Sequence, residues 1–290
     1  MNEFELIHHY FQKSIRNGDD AAVIDIPEGM SLVTSIDTSV EGRHFTKNAD
    51  PADIGYKSLA VSISDIAAMG AQPTACLLSL SLPPVETAWL EAFSRGFFEL
   101  ANSYNIELIG GDTTQGPLVI STVLFGIAPK HKALMRSAAQ VGDHIYVTGC
   151  LGNAAAALHD KTRDQTHLNR PIPRVNVGLT IREFAHSCID ISDGLAQDLQ
   201  HILTASNKGA VLYADKIPHQ STLQQALTGG DDYELCFTAP PLYNKEIARI
   251  SNELNIPITC IGDINTSLVL KVLDKNEQSM DINLSGYQHF

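Results

Sequence analysis

Residues 50–70, DPADIGYKSLAVSISDIAAMG, constrain this chain more than any other stretch. Asp50 followed by Pro51 reads as a helix N-cap with proline in the first turn, and Gly70 reads as the stop. Between them Ile54, Leu59, Ala60, Ile63, Ile66 and Ala67 keep an apolar stripe at helical spacing, with Ala and Ser filling most of the rest. A helix with so little surface made for water has to be enclosed. Asp65 sits late in that run with no Lys or Arg within four residues. A carboxylate buried there is costly unless something positive meets it. Asp65 is therefore either on a solvent face or a metal ligand.

Composition narrows the class. The chain has 290 residues, 44% apolar and 18% charged, which fits a soluble globular protein of one large or two medium domains, with two favoured at this length. No apolar run approaches the roughly 20 residues needed to cross a membrane, and the start, MNEFELIHHYFQ, lacks a signal-peptide core. The five cysteines, Cys76, Cys150, Cys188, Cys236 and Cys260, form no C-x-x-C pair, which favours reduced thiols in a cytoplasmic protein. A net charge of −13 without a Lys/Arg stripe argues against nucleic acid. Nucleotides remain open to such a protein if divalent cations bridge the two.

In order along the chain, residues 3–15 are expected to be helical, and Gly18-Asp19-Asp20 runs into an apolar strand. Leu32–Val40 is a β-branched strand carrying Ser35, Ile36 and Asp37, followed by Glu41-Gly42-Arg43-His44. After the central helix come a strand over 74–82, a helix over 85–104, a short strand over 106–109 ending in Gly110-Gly111-Asp112-Thr113-Thr114, and a strand over 118–127. This order predicts an α+β domain with a mainly antiparallel sheet. His131–Gly142 is a polar connector, and the boundary is placed between 137 and 138.

The second half, 138–290, is expected to be an α/β domain. The strand at 144–148 leads through Gly149-Cys150-Leu151-Gly152-Asn153 into an Ala-rich helix. That turn has the form of an anion-binding helix N-terminus, without being a Walker A loop or a G-x-G-x-x-G fingerprint. Arg170-Pro171-Ile172-Pro173-Arg174 is a stiff basic turn before a helix over 175–186. Two acidic motifs follow, Ile189-Asp190-Ile191-Ser192-Asp193-Gly194-Leu195 and Gly229-Gly230-Asp231-Asp232-Tyr233-Glu234-Leu235. A helix over 241–254 and strands at 258–261 and 268–272 close the domain.

Acids follow a glycine or end an apolar strand at Asp20, Asp37, Asp112, Asp190 with Asp193, and Asp231, and one more lies in an apolar helix at Asp65. Any one of them reads as a turn residue. Together they suggest a cleft that must hold several divalent cations, because like charges otherwise raise each other's pKa. Carboxylates and hydroxyls are hard-oxygen ligands suited to Mg²⁺. Carboxylates, Mg²⁺, glycine turns and a few arginines are what phosphoryl transfer needs.

At these residues the chain resembles the thiamine-monophosphate kinases of the wider aminoimidazole-ribonucleotide-synthetase-like superfamily. GDDAAVI (18–24), TSIDTSVEGRHF (34–45), KSLAVSISDIAAMGA (57–71), LIGGDTT (108–114), RS (136–137), IDISDGL (189–195), GGDDYEL (229–235) and GYQHF (286–290) are similar to its motifs, in its order. The resemblance implies transfer of the ATP γ-phosphate to thiamine monophosphate, by direct in-line attack with several Mg²⁺ ions. It implies that Asp20, Ser35 (partly through its backbone), Ile36, Asp37, Asp65, Asp112, Asp190 and Asp193 hold the metals. Tyr104, Gly111, Asp112, Arg136 and Ser192 would hold ATP, with Arg136 in a bidentate fork. His44, Asp231 and Tyr287 would face the thiamine, Tyr287 by stacking or by meeting the thiazolium cation. Asp65, Asp112 and Arg136 are the positions it assigns to catalysis.

One position departs from the family's pattern: Asp231 stands where Glu is usual, one methylene shorter. The resemblance further implies a homodimer formed by the N-terminal sheet. Two rivals are another ATP-using member of the superfamily and a non-catalytic nucleotide or thiamine-phosphate binding protein. A selenophosphate synthetase would want a reactive Cys near the N-terminus, whereas the first Cys here is Cys76. A hydrogenase-maturation relative would want a C-terminal cysteine, and this chain ends in Phe290. The binding-protein rival is disfavoured because every metal-type acid is present.

Overall fold

The computed structural model describes residues 9–11, which are helical, and 21–287. The rest of the helix expected over 3–15, the Gly18-Asp19-Asp20 motif with its candidate ligand Asp20, and residues 288–290 lie outside the described residues. The chain divides into two compact units, residues up to 66 together with 71–131, and residues 67–70 together with 132 onward. Residues 132–137 group with the second unit because Leu134 is buried in its core and its N–H donates to the Met69 carbonyl at 3.0 Å.

The first unit is built from β1 (Met30–Val40), α1 (Pro51–Ala68), β2 (Gln72–Leu82), α2 (Thr87–Ser103), β3 (Glu107–Gln115) and β4 (Val119–Pro129). Its sheet has the order β1-β4-β2-β3, with β1–β4 and β4–β2 antiparallel and β2–β3 parallel. The Asp50 carboxylate accepts the Ala52 N–H at 2.8 Å, and Gly70 ends the helix with φ +62°. Leu59, Ala60, Ile63, Ile66 and Ala67 are fully buried. Each Leu or Ile of that set contributes about 1.5–3 kcal/mol. A Cβ at Gly55 would overlap the Phe93 carbonyl and one at Gly96 the Ala52 carbonyl, so α1 and α2 meet backbone to backbone.

Alternation divides the residues of this sheet between two faces. Ser35 and Asp37 of β1 lie on one face with Thr122 and Leu124 of β4 and Leu78 and Leu80 of β2, in the register Asp37–Thr122–Leu78. The other face carries Leu32 and Ile36, 46% and 64% exposed. Ile36 there pairs with Val123, which pairs with Leu77.

The sequence reading ends β3 near Ile109, whereas the strand runs on to Gln115. Close packing explains the glycine. After a register shift at Cys76/Leu77 the parallel β2 comes so near that a Cβ at Gly111 would overlap the Leu78 carbonyl.

The second unit contains β5 (His144–Thr148), α3 (Asn153–His159), α4 (Thr166–Asn169), α5 (Val175–Ile181), β6 (Ser187–Asp190), α6 (Leu195–Ser206), β7 (Gly209–Tyr213), α7 (Leu223–Thr228), β8 (Leu235–Ala239), α8 (Asn244–Leu254), β9 (Ile258–Asn265) and β10 (Leu270–Leu273). The sheet order is β10-β7-β9-β5-β8-β6, a mixed sheet in which only β10–β7 is parallel. Successive residues of β5 feed opposite cores, Ile145 and Val147 one of them and Tyr146 the other, so both faces are covered. All five residues of β8 are buried. The sequence gives no expectation for α7, which starts at a capping box of Thr222 and Gln225.

Candidate functional site

Two groups of candidate residues form, one in each unit. In the first, α1 crosses above β1 and brings Asp65 to Ser35, whose hydroxyl donates to the Asp65 Oδ2 in a short hydrogen bond. One turn earlier, Ser62 donates to Asp37 Oδ2 at 2.8 Å. Burial pushes the Asp37 carboxyl up to about 6, the Asp65 charge adds to the rise, and the Ser62 hydroxyl opposes it. Next to Asp37 in the sheet, the buried Thr122 hydroxyl has no hydrogen-bond partner. The group offers two carboxylates and several hydroxyls and concentrates negative charge in a place water reaches poorly.

The other candidates of this unit lie apart from that pair. Asp112 pairs with Ser79, Ser79 with Ser121, and Ser121 with Thr38, so Asp112 belongs to the face opposite Asp37. Thr38 and Ser121 share a hydrogen bond of 2.8 Å on that face. Ile36 is on it too, and Gly111 precedes Asp112 in β3. His44 closes the turn after β1, its Nδ1 accepting the Val40 N–H at 3.0 Å, which leaves Nε2 to carry the proton of the neutral ring. Tyr104 is half-buried just after α2. Among the described residues no three His, Cys, Asp or Glu side chains converge on one point.

The second unit brings together Asp190, Ser192, Asp193, Asp231 and Tyr287. β6 ends at the buried Asp190, and the loop that follows is laced to the 229–235 loop. The Ile191 N–H donates to the Glu234 carbonyl at 2.8 Å, Tyr233 N–H to Ile191 at 2.8 Å, and Asp231 N–H to Ser192 at 2.9 Å. Asp231 and Tyr233 take left-handed backbone angles, φ +67° and +51°, and the Tyr233 hydroxyl donates to the Asp231 carboxylate at 3.0 Å. The segment before the C-terminus comes alongside: the Tyr287 N–H donates to the Asp193 carbonyl at 3.1 Å. Gln197 donates to the Asp193 carboxylate at 3.3 Å and to the Tyr287 carbonyl at 2.9 Å. Arg136 is exposed on a 3-10 turn, its carbonyl accepting from the Ser206 hydroxyl at 2.9 Å.

Three further acids, two in these motifs and Asp198 just after the first, have inward partners. Asp232 accepts the Gly152 N–H at 2.8 Å, at the start of α3. The glycine turn whose form suggests an anion site thus receives a carboxylate of its own chain, and desolvation raises that carboxyl to about 8. Glu234 is buried against Arg174, which donates through Nε at 2.7 Å and through Nη2 in a second, shorter bond; Thr148 adds a hydroxyl. Asp198 receives the N–H groups of Ser192, Asp193 and Gly194. Arg174 and Asp198 are absent from the motif-based set. The signals for them were faint: an arginine after two prolines, and an acid in the first turn of a helix that starts at a glycine.

Residues 18–128 match the family described as AIR synthase related protein, N-terminal domain. A thiamine-monophosphate kinase of Escherichia coli K12 is 41% identical over 319 aligned residues, covering 99% of this chain and 98% of the relative. Among solved structures, thiamine-monophosphate kinase from Stenotrophomonas maltophilia K279a superposes with a TM-score of 0.83 at 42% identity, covering 88% of this chain and 89% of that one. The structure of AaThiL complexed with AMPPCP and TMP superposes with a TM-score of 0.79 at 27% identity, covering 99% of this chain and 96% of that one.

Proposed function

The chain belongs to the thiamine-monophosphate kinase family, and from that premise we propose that it phosphorylates thiamine monophosphate with ATP, giving thiamine diphosphate and ADP. The observation that carries the reading is the 41% identity to a thiamine-monophosphate kinase along 99% of the chain. The likeness to a structure holding AMPPCP and TMP agrees with both substrates. An oxygen of the acceptor phosphate attacks the γ-phosphorus in line, the bond to the bridging oxygen breaks, and ADP leaves with the electron pair.

Mg²⁺ is the cation the residues fit. Asp37, Asp65 and Ser35 are hard-oxygen donors, and Asp37 is desolvated beside a like charge, an arrangement a divalent cation relieves. Asp37 and Asp65 would hold it, a number of carboxylates that suits Mg²⁺. When bound, Mg²⁺ neutralises phosphate charge and fixes geometry. We assign Asp190 and Asp193 the same work in the second unit, and Asp20 and Asp112 follow from the motifs. Ser192, Gly111, Tyr104 and Arg136 belong with ATP. His44, Asp231 and Tyr287 belong with thiamine monophosphate, the Tyr233 hydroxyl orienting the Asp231 carboxylate.

We place the protein in the cytoplasm as a homodimer. All five cysteines are free, and no described helix is long and apolar enough to cross a membrane. The open face of the first sheet, with Leu32 and Ile36 exposed beside Leu77 and Val123, is what a second copy would cover. Ile36→Glu should then yield monomers in sedimentation equilibrium; a parent protein that sediments as a monomer at all concentrations sinks the dimer.

The reaction is tested by incubating purified protein with Mg-ATP and thiamine monophosphate and separating thiamine diphosphate by chromatography. One ADP per thiamine diphosphate, abolished by chelation, is the expected result. ATP cleavage without thiamine diphosphate would point to another acceptor, and binding without turnover to a non-catalytic protein.

A further inference from the structure

Ser192, Asp193 and Gly194 present three consecutive backbone N–H groups to one oxygen, Oδ2 of Asp198, at 3.0, 3.0 and 3.1 Å. Such a concavity of amides is built to hold an anion. Here the anion is a side chain at the fourth position of α6, reaching back past the helix start, and only 3% exposed. Gly194 has φ +119°, a backbone state glycine adopts without strain, which turns the third N–H inward.

The carbonyls of the same peptides point the other way and are also used. Ser192 receives the Asp231 N–H and Asp193 receives the Tyr287 N–H. Amides held inward and carbonyls committed outward belong to the same rigid peptide planes, so fixing one fixes the other. We propose that Asp198 is the positioning residue of this loop, setting Ser192 and Asp193 directly and Asp231 and Tyr287 through two carbonyls. The proposal rests on the kinase reading for its activity readout, though not for its geometry. Capping alone does not require a carboxylate, since Ser or Asn at the helix start serves as well. A carboxylate only 3% exposed is an expensive device for a cap.

The test uses the full chain with Asp198→Asn and Asp198→Ala. Hydrogen exchange by mass spectrometry should show residues 192–194 protected in the parent and exchanging about tenfold faster or more in both variants, the loss of charge-assisted bonds. In the folded Asn variant, kcat should fall about 10- to 100-fold and KM for thiamine monophosphate should rise, with Ala worse. A residue needed only for stability would lower Tm and leave kcat of the folded enzyme at the parent value; that result overturns the proposal. Parent amides at 192–194 that exchange as fast as exposed ones overturn it as well, even if neither variant folds. If the parent does not make thiamine diphosphate, the kinase reading falls, while the exchange data still decide the loop.

Discussion

The two units bury carboxylates by opposite means. In the first, Asp37 and Asp65 are held by hydroxyls, Ser62 on one and Ser35 on the other, and Asp37 carries the penalty of Asp65's charge. In the second, Asp198 has three amides, Asp232 has the start of α3, and Glu234 has a guanidinium. Hydroxyls and amides orient an acid, and arginine also matches its charge. The first unit sets two like charges side by side, which an added cation would relieve; in the second each of these acids meets backbone amides or a guanidinium, while burial still raises Asp198 and Asp232. An acid's burial therefore says little about its role until its partners are known.

The largest effect should come from breaking the like-charge pair. Asp65→Asn is expected to abolish turnover at any Mg²⁺ concentration, a loss of at least about 10³-fold. Its Tm should hold or rise, because the repulsion with Asp37 is gone. Near-normal turnover would remove Asp65 from the site. Breaking the Arg174–Glu234 ion pair should do the reverse, damaging the fold before the chemistry. Arg174→Ala leaves Glu234 buried without its cation and should cost about 3–5 kcal/mol in urea unfolding. The double change Arg174→Met with Glu234→Leu should recover most of it; no recovery would mean that the charges do more than satisfy each other.

A third effect is one of pH. The Asp232 carboxyl lies near 8 when folded, against 3.8 for the ordinary group. Between those values the folded protein keeps a proton the unfolded chain has lost, so this residue's contribution to stability falls as pH rises from about 4 to about 8. Asp232→Asn keeps an acceptor for the Gly152 N–H and removes the titration. Its Tm advantage over the parent should therefore grow across that range and level off above it. A constant difference from pH 5 to 8 would show that Asp232 is ionised throughout.

Much of this contrast was closed to sequence reading. The helix of residues 50–70 was legible because its cap, its stop and its apolar spacing are all local, and so was the β-branched β1. The acids announced themselves too, as carboxylates after glycines and at strand ends. What each acid meets is set by contacts across long separations: Glu234 with Arg174 and Thr148, Asp232 with Gly152. Within GGDDYEL nothing local marks Asp231 as turned toward Tyr233 and its neighbour toward α3. Asp112 illustrates the same limit. Its glycines suggest a loop near a ligand, yet they serve a parallel strand pressed against β2, and the register puts Asp112 on the face away from Asp37.

The meeting of α1 and α2 at Gly55 and Gly96 has a reach beyond packing. Gly55 lies ten residues before Asp65 on the same helix, about 15 Å along its axis. A methyl group added at Gly55 lifts the near end of a stiff rod, and the far end carries Ser62 and Asp65 over β1. A random-mutagenesis screen for lost activity would thus return substitutions at these glycines, remote from every acid, with binding lost through misalignment of a helix whose own sequence near the acids is intact.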